Sequence, residues 1–409
     1  MRHVVFYSPH FGENTLRFVW PIRRHMPDVN LIGIGQDPPE YIESLGGAFN
    51  EFYRVEDATQ QDQLEAVIRA LSTDRQIHAL LNIQEQLQML IARVRERFGI
   101  PGIYPETMHK FRDKAHMKRV LKENNIRCAD YRRVNSEAEA RQFAEENGYP
   151  FVLKPLKGAG SVDTFVVFNQ LEFDNYLRQM DITPETPAIM EEFILGQEGS
   201  FDTLTLNGEI KYYGINHYYP TPLDAMRNPW IQPIYIFNHE LVDSPELEDV
   251  REVGRRVIEV FAPGTSITHM EWFRRQSDGK IYVGEIAARP GGKPIIDLHN
   301  FAQDIDLYRA WGELMINHRV DLNAERKYSA GCAHLRAQGP KGGRIREIHG
   351  VEQVRQAVGR YIVDELIPPI GSEKTESYIG EGHYYCRGKR FDEVFSALRY
   401  IVETIRIYC

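Results

Sequence analysis

The segment ITHMEWFRRQSDGKIYVGEIA at 267–287 constrains this chain most, because its turn sets a β-hairpin register and that register pairs two carboxylates. Between the apolar runs ITHMEWF and KIYVGEI lie Ser277, Asp278 and Gly279, and a three-residue hairpin loop commonly ends on Gly in the left-handed conformation. Such a loop pairs Gln276 with Lys280 and, counted back along both strands, sets Glu271 opposite Glu285 on one face. A bulge would shift the count by one. In this register Met270, Trp272, Tyr282 and Ile286 point to the other face as an apolar surface. Two carboxylates so close repel unless a cation lies between them, and an oxygen-only donor set suits Mg²⁺ completed by substrate phosphates. Arg289, four residues past Glu285, adds a fork suited to phosphate. Read alone, the pair is also compatible with an ordinary solvated hairpin edge.

Three upstream segments bear on that choice. FVLKP at 151–155 reads as a strand ending in Lys154, followed by LKGAGSVDT and a second strand, FVVF, at 165–168. A strand, a Gly-containing loop and another strand form a flap whose N–H groups can approach phosphate, with Gly158 and Gly160 permitting the approach and Lys157 adding charge. Neither a Walker P-loop nor a Rossmann fingerprint is present, and a Gly-rich hairpin is also a plain turn. IMEEFILGQEGSFD at 189–202 is a short strand carrying Glu191 and Glu192, followed by a Gly-containing turn and Glu198; its extended backbone can bond an adenine edge and a carboxylate can accept from ribose hydroxyls. FRDKAHMKRVLKENNI at 111–126 has the spacing of an amphipathic helix, with Lys114 near its start.

These pieces, in this order, resemble the ATP-grasp superfamily over nearly the whole chain. The resemblance implies an α/β (α+β) ATP-grasp fold with an N-terminal Rossmann-like pre-ATP-grasp domain (1–107), a nucleotide-binding region (108–330) with a mobile lid at about 127–195, and a C-terminal α+β domain (331–409) that completes the active site. It implies that Lys114 and Lys154 hold nucleotide phosphates beneath a covering loop of Lys157, Gly158, Ala159, Gly160 and Ser161. Glu191, Glu192, Phe193 and Ile194 fall on the adenine-binding hinge and Glu198 on the ribose carboxylate. Glu271 and Glu285 fall on the metal ligands, and Arg289 on the arginine that meets phosphate and the acyl-phosphate intermediate. The commonest pattern has Asn where this chain has Ala287, so Glu285 is expected to bridge the ions if two bind. The EIAARPGG motif and C-terminal region look most like the bacterial L-amino acid ligases, which share their architecture with biotin carboxylase.

The implied activity is ATP-dependent joining of a small carboxylate to an amine through an acyl phosphate, with ADP and phosphate released. ATP and Mg²⁺, with Mn²⁺ as an alternative, are the implied cofactors, one or two ions being held. Two rivals share the architecture or the nucleotide. A biotin carboxylase-like carboxylation is disfavoured by the run Arg289, Pro290, Gly291, Gly292, Lys293, and a non-catalytic ATP sensor by retention of both lysines, both carboxylates and Arg289.

Bulk properties fit a cytoplasmic enzyme. At 409 residues, 42% apolar and 26% charged, the chain has room for two or three domains. A net charge of −9 with no long basic run gives no footprint for nucleic acid. No apolar stretch approaches the length of a membrane span, and the four cysteines show no metal or disulfide spacing. The partners expected are therefore small molecules, and relatives are often homodimers. On the substrate side, His269 shares the carboxylate face, Arg336 lies near a cleft arginine of relatives, and Trp230, with Tyr218 and Tyr219, sits in an aromatic, Pro-rich segment at 216–237. That segment reads either as a surface crossover or as a substrate-covering loop. The commoner reading of His269 is a satisfied structural histidine, and that of Arg336 a surface arginine on a strand.

Overall fold

The computed structural model describes residues 1–156 and 164–409. Near-continuous apolar runs at the N-terminus give buried parallel strands. β1 (Arg2–Tyr7), β2 (Val29–Gly35), β3 (Glu51–Arg54) and β4 (Ile77–Leu81) form a sheet of order β3-β2-β1-β4, every pair parallel. The helix Glu13–His25 buries Phe18, Val19 and Ile22 against Trp311 and Leu314 of the helix Leu307–Asn317, which ties this sheet to the rest of the chain.

A second layer is the small antiparallel sheet of β5 (Tyr131–Val134), β6 (Phe151–Pro155), β7 (Phe165–Val167) and β8 (Ala188–Glu192), ordered β5-β8-β6-β7. Its own core includes Phe143, Phe151, Phe173 and Leu177. The loop between β6 and β7 carries Lys157, Gly158, Ala159, Gly160 and Ser161, which lie outside the described residues.

The central layer is an eight-stranded antiparallel sheet. It takes β9 (Gly196–Leu206), β10 (Glu209–Tyr219), β11 (Ile234–Phe237), β12 (Ser266–Arg275), β13 (Ile281–Ala287) and β14 (Ser329–Leu335). The C-terminal region gives β15 (Ala337–Gln338), β16 (Glu347–His349), β17 (Ile362–Leu366), β18 (Gly382–Gly388) and β19 (Arg406–Tyr408). The order β13-β12-β9-β10-β11-β14-β18-β17 runs without interruption from the middle of the chain into the C-terminal region, while β15, β19 and β16 form a separate edge sheet. The segment ESYIGEG at 376–382 is irregular up to Glu381, and pairing begins at Gly382. Gly380 explains the break: it has φ +67°, and a Cβ there would lie 2.1 Å from the Leu335 carbonyl oxygen. The segment 216–237 is largely regular structure. Its ends extend β10 and form β11, and between them a short helix, Pro222–Arg227, crosses the sheet edge.

The hairpin of β12 and β13 pairs Glu271 with Glu285, but by a route the turn did not reveal. Arg275, not Gln276, meets Lys280, and Gly279 N–H donates to the Arg275 carbonyl, so the loop is one residue longer than expected. An irregularity at Gly284 then restores the count. Between turn and bulge the faces are exchanged on β13: Ile281 and Val283 join Met270, Trp272 and Ile286 in the core, while Tyr282, expected there, lies opposite Phe273 and donates its hydroxyl to Asp278. The helix Glu248–Phe261 covers this apolar face, with Gly254 letting it approach Phe201 so closely that a Cβ would meet the ring at 2.6 Å.

Trp272 is fully buried directly behind the carboxylate face. Trp272→Ala should lower unfolding free energy by about 3–5 kcal/mol through cavity formation, measured by urea denaturation; a loss under about 1 kcal/mol would mean the hairpin does not rest on this core.

Candidate functional site

A cleft between the small sheet and the central sheet gathers most of the residues singled out from the sequence. Lys114, Lys154, Glu191, Glu192, Phe193, Ile194, Glu198, His269, Glu271, Glu285 and Arg289 all line it. Each arrives by a local rule. Asp113 caps the helix Lys114–Glu123 by accepting from the His116 N–H at 2.8 Å, which breaks the chain after the helix Pro105–Arg112 and sets Lys114 at the first helical position. Lys154 and Glu191 come from the adjacent strands β6 and β8, and Glu271 and Glu285 from the hairpin.

The charges form a connected lattice. Lys114 Nζ lies 3.0 Å from Glu285 Oε1, and Lys154 Nζ 3.0 Å from Glu191 Oε1. The other Glu191 oxygen is 3.2 Å from Lys118 Nζ. Lys118 is 1% exposed, also approaches the Gly284 carbonyl at 3.4 Å, and was missed from the sequence. Its signal was available: it stands four residues after Lys114 on one helix, hence on the same face. Burial alone would raise the Glu191 pKa, but Lys118 and Lys154 outweigh it and hold the carboxyl below its ordinary value. Glu285 obeys the same logic: desolvation opposes ionisation, yet Lys114 and Lys154, with Arg289, bring it down to about 2. Glu271 goes the other way, raised by desolvation and by Glu285. Glu198, fully desolvated beside Glu271 and Asp224, is raised well above the carboxylate range.

This imbalance tests the fit of a cation. Among the described residues there is no cluster of three or more His, Cys, Asp or Glu that could hold a metal unaided. Glu271 and Glu285 nevertheless form a hard-oxygen pair, and Glu271 is raised by its neighbour. A divalent cation completed by phosphate oxygens fits that donor set.

Arg289 is braced by the N-terminal region. Glu85 Oε2 accepts from Arg289 Nε and Nη2, each at 2.8 Å, and its other oxygen pairs with Arg112. Glu85 and Arg112 went unnoticed in the sequence, since nothing in their local pattern connects positions about two hundred residues apart. His269 Nδ1 lies 2.6 Å from Asp202 Oδ1, and its Nε2 faces Glu271 Oε1 at 3.8 Å. Asp202 is itself fixed by Ser200 Oγ at 2.6 Å and Asn216 Nδ2 at 3.1 Å, so the histidine is anchored from behind while its outer edge lines the cleft.

A second cavity adjoins the first, sharing Pro222, His269, Glu271 and Arg289 with it. Tyr218, Tyr235, Tyr308, Tyr378 and His334 contribute its aromatic wall. Three candidates from the sequence line neither cavity. Trp230 is 67% exposed and lines neither cavity. Arg336 is buried, and its Nη1 donates to the carbonyls of Ala225 (2.6 Å), Asn228 (3.1 Å) and Ile231 (3.0 Å), an anchor for the crossover. Tyr219 packs on Phe395, away from both cavities. An aromatic or an arginine in sequence does not report which side of its backbone it occupies.

Residues 112–228 match the family model of the phosphoribosylglycinamide synthetase ATP-grasp (A) domain. With the fold and the lysine–carboxylate cleft, this match marks residues 112–228 as an ATP-grasp domain, and the proteins the chain is similar to are ATP-dependent ligases. Within that class it is similar to the L-arginine-specific L-amino acid ligase of Bacillus subtilis, 24% identical over 342 residues that cover 82% of this chain and 81% of the relative. In architecture it matches the L-amino acid ligase of Bacillus licheniformis with a TM-score of 0.78 at 16% identity, over 100% of this chain and 98% of the other. It also matches the biotin carboxylase domain of 2-oxoglutarate carboxylase from Hydrogenobacter thermophilus, a structure holding MgADP and bicarbonate, with a TM-score of 0.68 at 16% identity over 99% and 90% of the two chains. No helix among the described residues is long and apolar enough to cross a membrane.

Because ion pairing depresses Glu191 in the folded chain, its contribution to stability is present above the ordinary carboxylate range and is lost as pH falls below it. Wild-type unfolding free energy should therefore fall more steeply than that of Glu191→Gln between about pH 7 and about pH 3, as measured by denaturant titration at each pH. Parallel slopes would show that Glu191 is not depressed.

Proposed function

We propose that this chain activates a small carboxylic acid, an amino acid or close relative, with ATP and transfers the acyl group to an amine, releasing ADP and phosphate. The observation that carries the proposal is the junction of the two cavities at Glu271, His269 and Arg289. A nucleotide in the first cavity would direct its terminal phosphate toward a carboxylate in the second.

In this reading the backbone of Glu192 through Ile194 meets the adenine edge and Glu198 accepts from the ribose hydroxyls. Glu198 suits that task because ligand hydroxyls donating to it would offset the desolvation that now raises it. Lys114 and Lys154 align and neutralise the phosphates. Lys118 keeps Glu191, and through it Lys154, in place. Glu271 and Glu285 would hold Mg²⁺ or Mn²⁺, one ion or two with Glu285 shared; when bound, the ion supplies charge neutralisation on the phosphates.

A carboxylate oxygen of the substrate attacks the γ-phosphorus, the bond to the β,γ-bridging oxygen breaks, and ADP departs with that electron pair. Arg289, fixed by Glu85, stabilises charge on the phosphoryl group in flight and on the acyl phosphate. The amine nitrogen then attacks the acyl carbon, the carbon–oxygen bond to phosphate breaks, and the amine loses a proton. No side-chain nucleophile is required. Enclosure beneath the small sheet would protect the acyl phosphate from water.

The test is ADP and phosphate release from MgATP across a pairwise panel of amino acids and other small carboxylates and amines, with product mass recorded. A product equal to the two substrates less water, formed with ADP, is expected; AMP instead of ADP would overturn the acyl-phosphate route. Glu285→Ala should abolish turnover while keeping a cooperative unfolding transition, and Lys154→Ala should slow turnover by about 10²–10³. Wild-type-like rates in either variant would remove that residue from the site.

A further inference from the structure

We infer that the second cavity recognises a substrate carrying an additional anionic group, which Arg17 and Lys293 receive at the part of the cavity not shared with the nucleotide cleft; this rests on the ligase reading above. Both side chains line the second cavity and neither lines the first. They come from distant parts of the chain, Arg17 from the helix Glu13–His25 and Lys293 from the start of the helix Lys293–Gln303.

Their existing partners leave capacity. One carboxylate oxygen, Glu13 Oε1, serves both cations, at 2.9 Å from Arg17 Nη2 and 3.5 Å from Lys293 Nζ, and the Glu13 side chain is 74% exposed. Arg17 Nη1 reaches Asp297 Oδ1 only at 3.4 Å. Arg17 Nε is buried and has no hydrogen-bond partner among the described residues. Asp297 is otherwise engaged from behind, accepting from Tyr308 Oη at 2.8 Å and Tyr385 Oη at 3.2 Å.

The acidic groups of the cavity do not cancel this. Glu85 is occupied by Arg112 and Arg289, and Glu381 accepts from the N–H groups of Ala337 and Thr375, each at 2.7 Å. Glu271 stands at the shared end. The donors with capacity to spare are therefore a guanidinium Nε and an ammonium held by one long contact, the pair that a carboxylate or a phosphate monoester would satisfy. The reacting carboxylate would lie at Arg289, and the second anion at Arg17 and Lys293. That geometry selects dicarboxylic or phosphorylated small acids over neutral amino acids of the same size.

Calorimetric titration of the full chain, with MgADP present, tests this independently of turnover. The ligands are L-glutamate, O-phospho-L-serine and the neutral isostere L-glutamine. At least one anionic ligand is expected to bind about 10-fold or more tightly than glutamine, glutamate preference identifying a carboxylate and phosphoserine preference a phosphate. Arg17→Gln and Lys293→Gln should each lower that preference by about 10-fold, and Lys293→Arg should retain most of it. Glutamine binding as tightly as both anions, binding of none of the three, or neutral variants that keep the preference would each overturn the inference. Anion-selective binding without ADP release in the pairwise panel would uphold it while removing the ligase reading, whereas turnover confined to neutral acids would do the reverse.

Discussion

The carboxylate of Glu191, set between Lys118 and Lys154, is the interaction on which the cleft depends. It joins a strand of the small sheet to a helix seated against the hairpin, so two layers with separate hydrophobic cores meet through charge rather than apolar surface. A buried ion pair adds little net stability, because desolvation cancels much of the attraction, but removing one partner strands a charge and is costly. Such a joint fixes position more than it adds stability. In the proposed mechanism it also keeps Lys154 charged in a desolvated place, since burial opposes that charge and Glu191, followed by Glu285, maintains it.

The site is assembled from parts that no single region holds. The hairpin supplies carboxylates, the helix at Lys114 and the small sheet supply lysines, and the N-terminal region supplies Glu85 to brace Arg289. Glu85 comes just after β4 of a parallel sheet, at the carboxyl end of the strand, where open α/β sheets present their ligand-facing loops. Here that loop steadies a neighbouring layer's arginine. The second cavity likewise takes its walls from the N-terminal helix, the central sheet and the C-terminal strands. This is why the central sheet running unbroken into β14, β18 and β17 matters: it sets one rigid wall for both cavities.

Local periodicity and turn chemistry made part of this architecture legible in the sequence. The parallel strands, the flanking helices and the facing of Glu271 and Glu285 belong to that class. The hairpin register shows the limit, since the loop was one residue longer than its Gly suggested and the bulge at Gly284 offset it, leaving the carboxylates paired but exchanging Tyr282 with its neighbours. Lys118 was hidden because a lysine on an amphipathic helix reads as solvated unless its partner is known, and Glu191 is brought to it only by tertiary packing. Trp230 and Arg336 were misplaced for the complementary reason: chemistry visible in the residue type says nothing of direction.

The crossover at residues 220–233 is held from both sides. Arg336 grips three of its carbonyls from the C-terminal side. From within it, Arg227 Nη1 donates to the Val166 carbonyl of β7 at 3.0 Å and its guanidinium lies 4.3 Å from the centre of the Phe168 ring. The same short stretch presents Thr221 through Asp224 to the first cavity. It therefore behaves as a strap fastened to the central sheet at one buckle and to the small sheet at the other. A displacement of the small sheet must either break the Arg227 contacts or carry the strap with it, and in the second case Thr221 through Asp224 move together with the wall they form.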